Sequence, residues 1–138
     1  MKTRIAIDPD LYKSGLAKYS DGELVECVST SIYNLFLYLL NEKNKGQNLE
    51  VLLEAGHKIK ACWHGGGRGA ASNTGKNKAV GIIIEDFLKT KGFTFRLIKP
   101  KGYSNFFKDE KFFKLQTGWT KKVNADARAA AAIGFCNK

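Results

Sequence analysis

The chain predicts a single α/β domain in three layers, with helices on both faces of a mixed five-stranded sheet and the element order βββαβαβα. Three observations lead there. Two alternating segments near the start are joined by "DG", the signal of a tight hairpin. Two amphipathic helices are each followed by an apolar strand, which makes two right-handed crossovers. A helix of small residues then closes the chain.

The elements follow in order. "RIAID" (4 to 8) is a short apolar run ending in an acid, and "GLAKYS" and "ELVECVS" alternate on either side of the hairpin signal. Together they form an antiparallel meander. A helix over about 30 to 43 repeats Ile32, Leu35, Phe36, Leu39 and Leu40 on one face, and "LEVLLEA" (49 to 55) is a buried strand. The glycine-rich loop "HGGGRGAASNTGKN" leads to a second amphipathic helix over about 76 to 91, with Val80, Ile83, Ile84, Phe87 and Leu88 on one side and Gly92 as its C-cap. "FTFRLI" is the fifth strand. "KPKGYSNFFKDEKFFKLQTGW" has no clean period and is assigned as a loop or lid, and 123 to 136 is the last helix.

With 138 residues, the chain suits one domain with a real core. Lys and Arg number 23 against 13 Asp and Glu, so the formal charge of +10 favours a polyanionic partner, nucleic acid before an anionic membrane. "IYNLFLYLL" is too short to span a bilayer and the start carries no signal-peptide pattern, so no membrane is expected and a cytoplasmic location is the default. Cys27, Cys62 and Cys136 are odd in number with no CxxC pair, and are expected as reduced core residues. "GAASNTGKN" departs from the phosphate-loop spacing, which excludes a nucleotide cofactor.

The chemistry is expected at the ends of the first and fourth strands, which can lie side by side in this arrangement. Those ends carry Asp8 and Glu54. Carboxylates at the ends of apolar strands are costly without a cation. Paired, they suit Mg²⁺ or Mn²⁺, two of which can clamp a phosphodiester for in-line attack by water. Taken singly, each acid can equally point into solvent.

"IAIDPDLYKSGLA", "LEVLLEAG", "NTGKNKAVGIIIEDF" and "NADARAAAAIG" together resemble the RuvC-type Holliday junction resolvases, in particular the short phage and prophage branch of the RNase H-like nucleases. The resemblance implies a homodimer that binds a four-way DNA junction and nicks two strands symmetrically with two Mg²⁺ ions held by four acids. It puts the first acid at Asp8 and the second at Glu54. The last two stand three residues apart on the final helix, on one face. The resemblance sets Asp126 at the third and Ala129, an alanine by engineered or natural substitution, at the fourth. A shifted register would make Asp126 the fourth and Val123 the third; "NADARAA" favours the first. Asp8, Glu54 and Asp126 are then the metal ligands, and a chain with Ala129 is expected to bind junctions but cut poorly. The alternatives are a nuclease acting on RNA/DNA hybrids and a non-catalytic DNA-binding relative.

For DNA contact the sequence offers Arg68, Lys76 and Lys78 around a helix start at Asn73 and Thr74, where phosphate binds well. Trp63 either anchors the glycine-rich loop or inserts at a junction, with His64 beside it. Lys99 and Lys101 follow the fifth strand, and Lys121, Lys122 and Arg128 flank Asp126. Phe106, Phe107, Phe112 and Phe113 either pack a lid or line the junction. Gly81 in the apolar second helix permits close approach and favours a dimer.

Overall fold

Side-chain parity along the strands decides the layers. In a computed structural model, which describes residues 2–58 and 67–138 without the side chains of 67–74, five strands lie in the order β3-β2-β1-β4-β5. They are β1 (Lys2–Asp8), β2 (Ser14–Ser20), β3 (Glu23–Thr30), β4 (Asn48–Glu54) and β5 (Phe95–Ile98). β1, β2 and β3 form the antiparallel meander, and β4 and β5 join in parallel. The hairpin at Asp21 and Gly22 has φ of 49° and 88°, as a primed turn requires.

Odd positions of β1 and β4 and even positions of β2 face one layer: Ile5, Ile7, Leu16, Val51 and Leu53 pack with Leu35 and Leu39 of α1 (Ile32–Asn44) and Val80, Ile84 and Leu88 of α2 (Gly67–Thr90). The opposite parity, Ala6, Ala17, Tyr19 and Leu52, packs on α5 (Ala125–Cys136). Each fully buried leucine or isoleucine contributes roughly 1.5–3 kcal/mol. The alanines of α5 let its backbone come close enough for the Tyr19 hydroxyl to donate to the Ala131 carbonyl at 2.7 Å. Ser31 caps α1 and Asn124 caps α5, each accepting from a backbone N–H in the first turn.

The mixed three-layer α/β architecture follows the expectation, but four local assignments need correction. The segment 99–119 contains helices α3 (Tyr103–Phe106) and α4 (Glu110–Thr117), the latter capped by Asp109 and closed by Gly118 at φ 72°. They are too short to show a period, yet Tyr103, Phe107 and Phe113 are buried against α5, while Phe106 and Phe112 remain partly exposed. α2 begins at Gly67, so Asn73 and Thr74 lie inside it rather than at its start. Ile83, expected on the buried side of α2, is exposed. Cys136 is exposed while Cys27 is buried; Cys62 lies outside the described residues. No helix among the described residues is long and apolar enough to cross a membrane.

Candidate active site at the carboxyl edge of the sheet

β1 and β4 are parallel neighbours in the register Ile7↔Leu53, so Asp8 and Glu54 come next to each other where both strands end. Ligands of open α/β sheets gather at such carboxyl ends. Asp8 and Glu54 share the parity of Ala6 and Leu52 and belong to the α5 side.

Gly15 explains why Asp126 comes near them. It pairs with Asp8 across the β1–β2 ladder, and a Cβ there would meet the Asp126 carbonyl carbon at 2.7 Å and the Ala130 Cβ at 3.2 Å. Glycine therefore lets the first turn of α5 settle on the sheet beside Asp8. Burial raises the Asp8 carboxyl to a pKa of about 7, helped by the nearby charges of Glu54, Asp126 and Asp10. Burial also raises Glu54, and burial together with Asp10 raises Asp126. Asp10 is thus a fourth acid of the edge. As a loop residue after Pro9 it has no periodic or strand-end signal in the sequence.

A cavity of about 200 Å³ opens beside the strand ends, lined by Asp8, Pro9, Glu54, Gly56, His57, Asn77, Lys78 and Gly81. One stripe of α2 holds its walls, because Asn77, Gly81 and Glu85 lie four residues apart. Asn77 Oδ1 accepts from the Leu11 N–H at 3.2 Å and so ties down the loop after Asp8. Glu85 Oε1 meets His57 Nε2 at 2.7 Å and so ties down the 3-10 turn Gly56–Lys58 that follows Glu54. Lys58 and Lys89 also pair with Glu85, at 3.3 and 2.9 Å. The hydrogen bonds from His57 and Lys89, with Lys58 adding to them, hold the Glu85 carboxyl down at about 2 against its own burial. A Cβ on Gly81 would meet His57 Nδ1 at 2.6 Å. The space left by Gly81 is therefore filled by the chain's own histidine, which removes it as a sign of dimer contact.

Among the described residues, no group of three or more His, Cys, Asp or Glu is arranged to hold a metal ion. The donors present fit a narrower role. Mg²⁺ keeps several waters and is bound by one or two carboxylates together with substrate phosphate. Asp8 and Glu54, both partly desolvated and lining one cavity, form such an oxygen-donor pair.

The other expected residues divide clearly. Lys78 lines the carboxylate cavity, and Lys76 lines an adjoining one with Asp10 and Tyr12. Lys99 and Lys101 are exposed just past the end of β5, on the same sheet edge, and Lys121 and Lys122 are exposed just before α5. Lys121 lies 5.8 Å over the Trp119 ring. Arg128 is part of the scaffold: its Nε donates to the Phe107 carbonyl at 3.0 Å and its Nη1 to the Val123 carbonyl at 2.9 Å, tying the α3–α4 connection to α5. Ala129 is 4% exposed, one turn beyond Asp126. Trp63 and His64 lie outside the described residues, and Arg68 belongs to α2 with its side chain outside them.

The fold and this edge define an RNase H-like α/β domain with carboxylates at its adjacent strand ends. Among solved structures, the chain is similar to "T. thermophilus RuvC in complex with Holliday junction substrate", with a TM-score of 0.56 and 16% identity over 99% of this chain and 94% of that one. A second, "Thermus thermophilus RuvC structure", has a TM-score of 0.51 and 15% identity over 95% of this chain and 92% of that one. No protein-family model and no curated protein matches the chain.

Proposed function

We propose that this chain is a junction-binding protein of the RuvC type, a Mg²⁺-dependent structure-selective endonuclease by descent whose cleavage is impaired at Ala129. The observation that carries the reading is the meeting of Asp8 and Glu54 at the ends of β1 and β4, with Asp126 brought to them across Gly15. The likeness to a RuvC bound to a Holliday junction supports branched DNA as the substrate class.

In this reading a divalent ion held at this edge (Mg²⁺, with Mn²⁺ as a substitute) would supply Lewis-acid chemistry for phosphodiester hydrolysis. Asp8 and Glu54 supply oxygen ligands, and Asp126 faces the same edge. Lys76, Lys78, Lys99, Lys101, Lys121 and Lys122 hold the DNA backbone around it, and Trp63, His64 and Arg68 complete the contact surface. A second ion would need an acid where Ala129 stands. A homodimer would place two such edges on opposite strands of one junction. The exposed Ile82 and Ile83 of α2 offer apolar surface for a second copy. The protein acts in the cytoplasm, in DNA recombination, repair or phage genome processing.

A second reading is favoured by the same Ala129. In it the chain binds junctions without cutting them. The deciding experiment is cleavage of a synthetic four-way junction in Mg²⁺ by the chain and by Ala129→Asp, with linear duplex and RNA/DNA hybrid as controls. Nicking by Ala129→Asp alone supports the first reading, binding without cleavage by either supports the second, and a preference for the hybrid rejects both.

A further inference from the structure

The loop between β1 and β2 carries an aromatic side chain that the core does not use. Tyr12 is 76% exposed. Its backbone is nevertheless firmly held. The Asp10 N–H donates to Ser14 Oγ at 3.1 Å, and Ser14 Oγ donates to the Asp10 carbonyl at 3.3 Å. The Tyr12 N–H donates to Asp10 Oδ1 at 3.1 Å, while the Leu11 N–H reaches Asn77 Oδ1 on α2. The ring is thus presented to solvent by a loop with little conformational freedom left to lose, which lowers the entropic cost of contact. Beside it, Asp10, Leu11, Tyr12, Lys76 and Asn77 line a cavity of about 240 Å³ that shares Asn77 with the carboxylate cavity.

We infer that Tyr12 is a base-contacting residue, a platform on which a nucleobase unstacked beside the candidate active site settles while Lys76 and Lys78 hold the neighbouring phosphates. The inference rests on the DNA-binding reading above and adds a contact to it. An exposed ring next to cations on a nucleic-acid face is the combination by which proteins grip unpaired bases, since every base offers a π-face. Chain length bounds the place. Tyr12 stands four positions after Asp8, so their Cα atoms lie at most about 14 Å apart. At roughly 3.4 Å per stacked nucleotide that backbone separation spans about four nucleotides, which sets where the contacted base is sought.

The test uses the full chain in Mg²⁺-free buffer, with four-way junctions carrying 2-aminopurine singly at each of the four nucleotides on either side of the crossover. The unmodified chain and Tyr12→Phe are expected to bind alike and to change the emission of the same one or two positions. Tyr12→Leu is expected to lose that change and to bind about tenfold more weakly, as stacking by one ring implies. A melting temperature unchanged in Tyr12→Leu shows that folding is not the cause. Junction binding by the unmodified chain that falls in Lys76→Ala and Lys78→Ala, yet is equalled in affinity and emission by Tyr12→Leu, overturns the Tyr12 contact and leaves the DNA-binding reading standing. Failure of the unmodified chain to bind any of the junctions overturns both.

Discussion

Asp8→Asn is expected to stabilise the metal-free protein, and to do so at pH 8 but not at pH 4. The folded state raises the Asp8 carboxyl from 3.8 to about 7, first through burial and then through Glu54, Asp126 and Asp10. Between these two values the folded chain binds more protons than the unfolded chain, so the contribution of Asp8 to stability falls as pH rises from 3.8 to 7 and is flat above it. At about 1.4 kcal/mol for each tenfold change, the full cost of ionised Asp8 is about 4 kcal/mol. The replacement amide must itself be buried, which offsets part of the gain and leaves a net of about 2 kcal/mol at pH 8. Urea unfolding in EDTA at pH 4, 6 and 8 measures it. The stability of Asp8→Asn relative to the unmodified chain is expected to be negative by about 2 kcal/mol at pH 4, where only the amide's burial counts, and to climb through pH 6 to its positive value at pH 8. Mg²⁺ at millimolar concentration is expected to raise the unmodified chain and not the variant, since only a ligand that binds the folded state stabilises it. A difference independent of pH, or an unmodified chain more stable than Asp8→Asn at pH 8, would refute a desolvated, mutually repelling carboxylate group at this edge.

Two further predictions concern the supports of that edge. Gly15→Ala drives a Cβ into the backbone of α5 at Asp126. Backbone cannot yield as a flexible side chain can, so a loss of about 3 kcal/mol is expected by urea unfolding, together with loss of any junction cleavage that Ala129→Asp restores. A variant of unchanged stability would place α5 farther from the sheet. Glu85→Gln removes the buried carboxylate that holds His57. Because the folded state lowers the Glu85 carboxyl from 4.5 to about 2, its stabilisation is complete above pH 4.5 and is lost as pH falls toward 2. Two of its partners, Lys58 and Lys89, are largely exposed, which reduces the expected loss at pH 7 to about 2 kcal/mol. Thermal melts at pH 7 and pH 3 test this: the gap between the two proteins is expected to narrow at the lower pH, and a constant gap would show that packing alone is involved.

The sequence by itself determined the sheet and the two acids at its heart. Period two in β2 and β3, the Asp21–Gly22 turn and the apolar runs of β1 and β4 are local signals, readable because side chains alternate along a strand whatever lies on it. The crossovers allowed the ends of β1 and β4 to lie side by side, and the observed pairing of the two strands brings Asp8 and Glu54 together. Only the tertiary structure decided the rest. His57 and Glu85 stand 28 residues apart and meet because Gly81 leaves room for an imidazole, so the same glycine that suggested contact with a second copy proves to be an internal contact. Arg128, expected to hold phosphate, donates from Nε and Nη1 to the carbonyls of Phe107 and Val123, which only the fold brings to it. Asp10 joined the acids through the loop that Asn77 pins from α2, 66 residues from Leu11. α3 and α4 were illegible for a different reason: four and eight residues carry too few turns to show a helical period, and their phenylalanines are sorted into buried and exposed only by the presence of α5. Local pattern reports which way a side chain points from its own backbone; what it meets there depends on which distant segment arrives to fill the space.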